Sequence, residues 1–200
     1  MTAKFITFEG IEGCGKSTQA KKLQQFFLQK NVEAILTREP GGTAAGELIR
    51  SVLLDEKIEK LEAKSELFLN FAARIEHVEK LIKPSLAAKK IVISDRFFDS
   101  TYAYQGSAFG LDFSLIDEVR KNAIGAFQPD ITFLIDVPVE LAFSRIKSRA
   151  DNNRYEKFPR DFHEKVRQGF LLLAQKNSRI RVIDGTQSVE KVFAEITDSL

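Results

Sequence analysis

Phe8-Glu9-Gly10-Ile11-Glu12-Gly13-Cys14-Gly15-Lys16-Ser17-Thr18 carries Gly10, Gly15, Lys16 and Ser17 at the spacing G-x-x-x-x-G-K-[ST]. The spacing has a mechanical reading. Backbone N–H groups converge on phosphate oxygens only if the chain curls tightly, and glycine permits the positive φ and close approach that this needs. Lys16 then offers a point charge to the β- and γ-phosphates, and Ser17 a hydroxyl to Mg²⁺. The flanks agree. Lys4 to Phe8 is a short β-rich run, and Lys16 to Lys30 sets Ala20, Leu23, Phe26 and Phe27 at helical spacing. Strand, phosphate loop and helix follow in order, which makes a nucleoside triphosphate the expected ligand.

Outward from the loop, strands and helices alternate. Val32 to Thr37 reads as a second strand, closed by Arg38-Glu39-Pro40-Gly41-Gly42-Thr43, where proline and two glycines impose a loop. Thr43 is placed to cap a helix over Ala44 to Leu54. A long helical pattern from about Ile58 to Lys83 carries Leu61, Leu67, Phe68, Phe71, Ile75, Val78 and Ile82, and Pro84 is expected to bend or end it. Ile91 to Asp95 and Ile131 to Asp136 are apolar runs that end in a carboxylate, as suits buried parallel strands whose tips face a ligand. Helices are expected at about Ser100 to Tyr104, Ser114 to Phe127, Val139 to Ile146, Phe162 to Gln175 and Val189 to Ile196, with a fifth strand at Ile180 to Asp184. Five strands separated by helices predict an α/β fold with a parallel sheet, and 200 residues suit one domain over 1–200.

Bulk properties exclude several classes. Hydrophobic residues make up 44% and charged residues 29%, the balance of an ordinary globular protein. The net charge of +2 implies no large field, so neither nucleic acid nor an acidic membrane is suggested as partner. The one cysteine, Cys14, reads as a small filler in a reducing compartment. The N-terminal apolar run meets Glu9 too soon for a secretory signal, and Ile131 to Phe143 is interrupted by Asp136, Pro138 and Glu140, so no membrane span is expected. The cytoplasm is the expected compartment.

A phosphate loop alone is shared by switches, motors and small-molecule kinases. Guanine-specific switches carry Asn-Lys-x-Asp on a late strand, whereas Val182-Ile183-Asp184-Gly185 occupies that place here. Two further landmarks stand at strand ends: the Arg38-Glu39 pair, and Asp95-Arg96-Phe97 followed by Ser100, Tyr104, Gln105 and Gly106. Ligands of open α/β sheets bind at those ends. With Ala72-Ala73-Arg74, His77, Asp136-Val137-Pro138 and the Arg149 to Glu156 segment, the chain resembles the bacterial thymidylate kinases over nearly its whole length.

The resemblance implies a P-loop kinase fold with a lid at about 147–160, a homodimer, and transfer of the ATP γ-phosphoryl group to dTMP with Mg²⁺, giving dTDP. A kinase for another deoxynucleotide or deoxynucleoside is the nearest alternative, and a non-catalytic nucleotide switch a remoter one. The implied roles fall on matching residues. Lys16 and the amides of Gly10, Ile11, Glu12, Gly13, Cys14 and Gly15 would hold the donor phosphates, while Ser17 and Thr18 place metal and phosphate. Asp95 would act through Mg²⁺ or its waters, and Arg96 would lie between donor and acceptor. Glu12, Arg38 and Pro40 would face the acceptor's sugar and phosphate. Arg74 would bond the thymine carbonyl in a pocket shaped by Thr101, Tyr104 and Gln105, and Gly185-Thr186-Gln187 resembles the adenine-contacting loop.

An acceptor monophosphate, with a second pKa of about 6, is already largely ionised at neutral pH. Catalysis then needs alignment and charge neutralisation rather than a strong base. Some family members place an extra arginine inside the phosphate loop. Ile11-Glu12-Gly13-Cys14 has none, so the lid is expected to supply it through Arg149 and Arg154, ahead of Arg145. Two departures stand out. Asn70, flanked by Phe68 and Phe71, occupies the position of a phenylalanine that stacks on thymine, and Phe97 replaces a commoner tyrosine. His77 and His163 lack metal-ligand spacing and read as structural or surface residues.

Overall fold

The computed structural model describes residues 3–58, 61–146 and 154–200. Five parallel strands, β1 (Phe5–Glu9), β2 (Ala34–Arg38), β3 (Ile91–Asp95), β4 (Ile131–Asp136) and β5 (Ile180–Asp184), form one sheet in the order β2-β3-β1-β4-β5. This is the α/β architecture expected from the alternation of apolar runs and helical patterns. Strand β1 lies at the centre and is buried along its whole length, because Phe5, Ile6 and Phe8 are covered from both faces. Phe5 packs edge-on against Phe97 at 4.9 Å, and Phe8 meets Phe133 at 5.5 Å, so aromatic contacts tie the central strand to both neighbours.

Register decides where the site lies. Phe8 and Arg38 both pair with Asp95, and Asp136 pairs with Asp184, so the strands end level with one another. The loops after β1, β2 and β3 therefore emerge side by side. The chain turns outward to β2 and β3, then crosses β1 to build β4 and β5, and ligands bind at such a reversal. Strand β2 extends one residue beyond the expected Thr37, which brings Arg38 into the ladder opposite Asp95.

Helices α1 (Lys16–Gln29), α2 (Ala44–Leu54), α6 (Phe113–Ile124), α7 (Val139–Ile146), α8 (Arg160–Lys176) and α9 (Val189–Asp198) cover the sheet. Side chains of Thr43, Asp112 and Ser188 cap α2, α6 and α9 by accepting backbone N–H bonds in the first turn. The single long helix expected from Ile58 to Lys83 is instead α3 (Ala63–His77), a π-turn (Val78–Ile82) and α4 (Lys83–Ala87). Pro84 does not end the path, which runs on to Ala87. It sits in the first turn of α4, directly after the π-turn that widens the path ahead of it. A second π-turn (Tyr102–Ala108) continues the short α5 (Phe98–Thr101) and carries Tyr104 and Gln105. Within the expected lid, 147–153 lie outside the described residues, Arg154–Lys157 forms a 3-10 turn, and α8 begins at Arg160.

Candidate active site

The phosphate loop takes its shape from its glycines. Gly10 and Gly13 have φ of 139° and 77°, and a Cβ on them would stand 2.6 Å and 2.4 Å from the backbone oxygens of Ile135 and Ala142. Any side chain there would force the loop off the tip of β4 and off α7. Lys16, at the start of α1, folds back so that its ammonium donates to the Ile11 carbonyl at 3.2 Å, and its side chain is buried across the loop. The Ser17 hydroxyl bonds Asp95 Oδ2, joining the loop to the tip of β3.

Arg96 is the hub of the neighbouring turn. Its backbone is left-handed, with φ of 75°, and this aims the side chain back over β1. Nη1 donates to the Gly10 carbonyl at 2.9 Å and the Ser100 hydroxyl at 3.0 Å, and Nη2 to Glu12 Oε1 at 2.9 Å and the Tyr104 hydroxyl at 3.1 Å. Burial would raise the Glu12 carboxyl, but Arg96, His163 and Lys16 outweigh it and hold Glu12 well below the usual carboxylate range. Against the effect of burial, Tyr104, then Glu12, Glu9 and Asp95, in turn raise the pKa of the Arg96 guanidinium. Beneath this turn, Glu9 is fully buried and accepts from the Phe97 and Ser100 amides and the Ser100 hydroxyl. Burial, then the nearby Asp99 charge, push its carboxyl up to about 8.

The loop after β2 adds two arginines. Arg38 pairs with Glu47 at 2.8 Å, and Arg50 donates to the Pro40 carbonyl at 2.9 Å across the cis Glu39–Pro40 bond. Burial, and then the like charge of Arg38, lower the pKa of Arg50. Glu39 is buried and holds Arg74 Nε at 2.7 Å and His77 Nδ1 at 2.9 Å. The Arg74 guanidinium is clamped between the Phe71 and Phe97 rings, 4.6 Å and 5.4 Å from their centroids, and its Nη1 reaches the Thr101 hydroxyl at 3.2 Å.

These groups line one cleft of about 240 Å³. Lys16, Ser17, Asp95 and Arg96 stand at the phosphate loop, Arg38 and Arg50 along one side, and Asn70, Thr101, Gln105 and Tyr155 at the far end. A second recess of about 300 Å³ opens on the other side of the loop, between Gly15, Thr18, Arg145 and Gln187. There Arg145 Nη2 bonds the Gly185 carbonyl at 3.0 Å, so Arg145 joins α7 to the loop after β5. Thus the structure gathers Lys16, Ser17, Asp95, Arg96, Glu12, Arg38, Pro40, Thr101, Tyr104 and Gln105 around one space, with Arg74 directly behind Thr101 and Glu39.

Arg154 departs from the expectation. It is not brought to the phosphate loop: Nη2 bonds Glu66 Oε1 and Nε bonds the Leu53 carbonyl at 3.2 Å, behind the far end of the cleft. A buried guanidinium needs a buried partner, and Glu66 is fully buried. Arg149 lies outside the described residues. The departure at position 70 is real in space as well. Phe68 points to the surface at 56% exposure and Phe71 lies buried under Arg74, so the cleft receives only Asn70 from this stretch.

Sequence reasoning missed Glu9, Glu39, Arg50, Glu66 and Tyr155 as parts of the site. Glu39 lies inside the Arg38-to-Thr43 motif already singled out and Arg50 follows it on α2, so nearness to that motif was the available signal. Glu66 looks like any first-turn carboxylate until its partners, 39 to 89 residues away, are known. His163 also proves more than a surface residue: it is buried, with Nδ1 3.6 Å from Glu12 Oε2 and its ring edge-on to Phe143. His77 is structural, bridging Glu39 and the Thr37 hydroxyl.

A phosphate loop at the tip of β1, facing a cation-lined cleft at the reversal point of a parallel sheet, defines a P-loop kinase fold. The comparisons refine the class. The family model described as thymidylate kinase matches residues 8–196. Thymidylate kinase of Carboxydothermus hydrogenoformans is 44% identical over 196 residues, covering 98% of this chain and 96% of the relative. That of Nitrosomonas eutropha is 45% identical over 190 residues, covering 94% and 88%. The crystal structure of thymidylate kinase from Ehrlichia chaffeensis superposes with a TM-score of 0.80 at 41% identity, covering 100% of this chain and 98% of that one. The chain belongs to the thymidylate kinase family.

Proposed function

We infer that the chain transfers the γ-phosphoryl group of ATP to dTMP, giving dTDP and ADP. The observation that carries this reading is the single cleft in which a phosphate loop, three arginines and a hydrogen-bonding far end meet. The donor phosphates lie along the amides from Gly10 to Gly15 and against Lys16, with the adenosine toward Arg145 and Gln187 in the second recess. The acceptor phosphate lies among Arg38, Arg50 and Arg96, and the base among Arg74, Thr101 and Gln105. Since that phosphate is already ionised, the work of the site is to hold two polyanions in line and cancel their repulsion. Arg96 is held by four acceptors, so its charge is already oriented for the transfer.

Ser17 and Asp95 fit Mg²⁺. Their oxygens meet in the cleft beside Lys16. This suits an ion that takes few protein ligands and keeps its waters and the substrate phosphates. When bound, Mg²⁺ neutralises phosphate charge. The remaining catalytic cation is assigned to Arg149, because Arg154 is committed to Glu66.

The chain acts as one domain and as a homodimer. Leu48 and Val52 on α2, and Phe68 and Ile75 on the adjoining α3, are large apolar side chains exposed at helical spacing, a patch suited to a second copy. No described helix is long and apolar enough to cross a membrane, and the cytoplasm, where nucleotides are made, is the proposed compartment. The acceptor assignment is tested by kcat/KM with ATP against dTMP, dUMP, dCMP, dGMP, AMP and thymidine. dTMP is expected to lead the series, and any other leading acceptor would redirect the assignment.

A further inference from the structure

A pyrimidine base at the far end of the cleft needs a flat apolar face as well as hydrogen bonds, and α3 does not offer one. Asn70 presents a carboxamide whose Nδ2 is already bonded to the Glu66 carbonyl at 2.8 Å. Phe68 faces outward and Phe71 is buried beneath Arg74. Two rings line the cleft among the described residues, Tyr104 and Tyr155. The Tyr104 hydroxyl is bound to Glu12 and Arg96 near the phosphate loop, which keeps that ring toward the sugar and phosphates. Tyr155 stands at the other end.

Tyr155 is held in a way that a chance surface tyrosine is not. Its hydroxyl donates to Glu66 Oε2 at 2.9 Å, its ring meets Tyr104 edge-on at 5.5 Å, and the Arg154 guanidinium lies 5.0 Å from its centroid. Glu66 also accepts from Gln105 Nε2 at 2.8 Å and from Arg154. One buried carboxylate therefore fixes Tyr155, Gln105 and Arg154, while its own backbone carbonyl fixes Asn70. We propose that Tyr155 is the aromatic wall of the acceptor-base pocket and a determinant of acceptor affinity. This rests on dTMP being the acceptor and adds which side chain receives its base.

The test is steady-state kinetics on the full chain with ATP and Mg²⁺, comparing Tyr155→Phe, Tyr155→Leu and Tyr155→Leu with Asn70→Phe. Base stacking on one ring corresponds to about a tenfold change in affinity. Tyr155→Leu is therefore expected to raise KM for dTMP about tenfold while KM for ATP stays within about twofold, and Tyr155→Phe to stay close to the parent. A ring restored at position 70 is expected to recover at least about half of the loss on the logarithmic scale. An unchanged KM for dTMP, or equal rises for ATP and dTMP, would overturn the proposal, because a purely structural role would not separate the substrates. Should Tyr155→Leu not fold, dTMP titration followed by tyrosine emission decides, since the chain has three tyrosines and no tryptophan. dTMP quenches the parent more than Tyr155→Phe if the ring receives the base, and equal quenching overturns the proposal. A parent enzyme that leaves dTMP unphosphorylated would instead sink the functional reading itself.

Discussion

Glu9 shows how much a single side chain can organise, and what it costs. It has no contact with water, yet its carboxyl caps the start of α5 through the Phe97 and Ser100 amides and so holds the turn that carries Arg96. Its pKa is raised to about 8 from an ordinary 4.5, chiefly by burial. Between those values the folded chain keeps a proton that the unfolded chain has lost, so this residue's contribution to stability falls as pH rises from about 4.5 to about 8. Urea denaturation from pH 5 to pH 8 is expected to show the parent losing on the order of a few kcal/mol relative to Glu9→Gln, which keeps the shape and cannot ionise. A parent–variant difference that stays flat over that range would contradict the shift. Nothing in the sequence announces this role, because Glu9 sits inside a motif whose pattern is satisfied without it. By contrast Lys16, Ser17 and Asp95 were legible, since their chemistry follows from local spacing and from their place at the end of an apolar run.

At the scale of elements, strands β3 and β4 and helices α2 and α7 stand where the sequence patterns put them, because each is a short run with its own boundary: a carboxylate, a cap or a proline. The path from α3 to α4 was misread for a physical reason. A π-turn and an α-turn carry nearly the same apolar spacing, so the widening ahead of Pro84 leaves no trace in hydrophobic periodicity. The far end of the cleft was illegible for another reason. Glu66 meets Gln105, Arg154 and Tyr155 only through tertiary packing, and no local pattern encodes contacts over such separations. This element-level placement commits Arg154 to Glu66. Arg154→Ala strands the buried Glu66 charge and is expected to cost about 3 kcal/mol of stability, read from denaturant midpoints. Arg149→Ala is expected to lower kcat tenfold or more, roughly the least that losing a transition-state charge would cost. A preserved kcat in the Arg149 variant would reverse the assignment.

Across the whole molecule, the parallel register that ends β1, β2 and β3 at one level explains why residues as distant as Glu12, Arg38 and Arg96 share a cleft. The opposite face of α2 and α3 carries the apolar patch of Leu48, Val52, Phe68 and Ile75. Leu48→Glu with Phe68→Glu is expected to convert a dimer to a monomer in sedimentation velocity, and a parent that sediments as a monomer would remove the dimer from the account. The central claim is that the charge gathered around this cleft moves a phosphoryl group from ATP to dTMP. Phosphorus NMR of the enzyme with ATP, Mg²⁺ and dTMP tests it most directly. The account predicts that dTDP and ADP grow in equal amounts as dTMP and ATP disappear; ADP accumulating with inorganic phosphate while dTMP stays intact would contradict it.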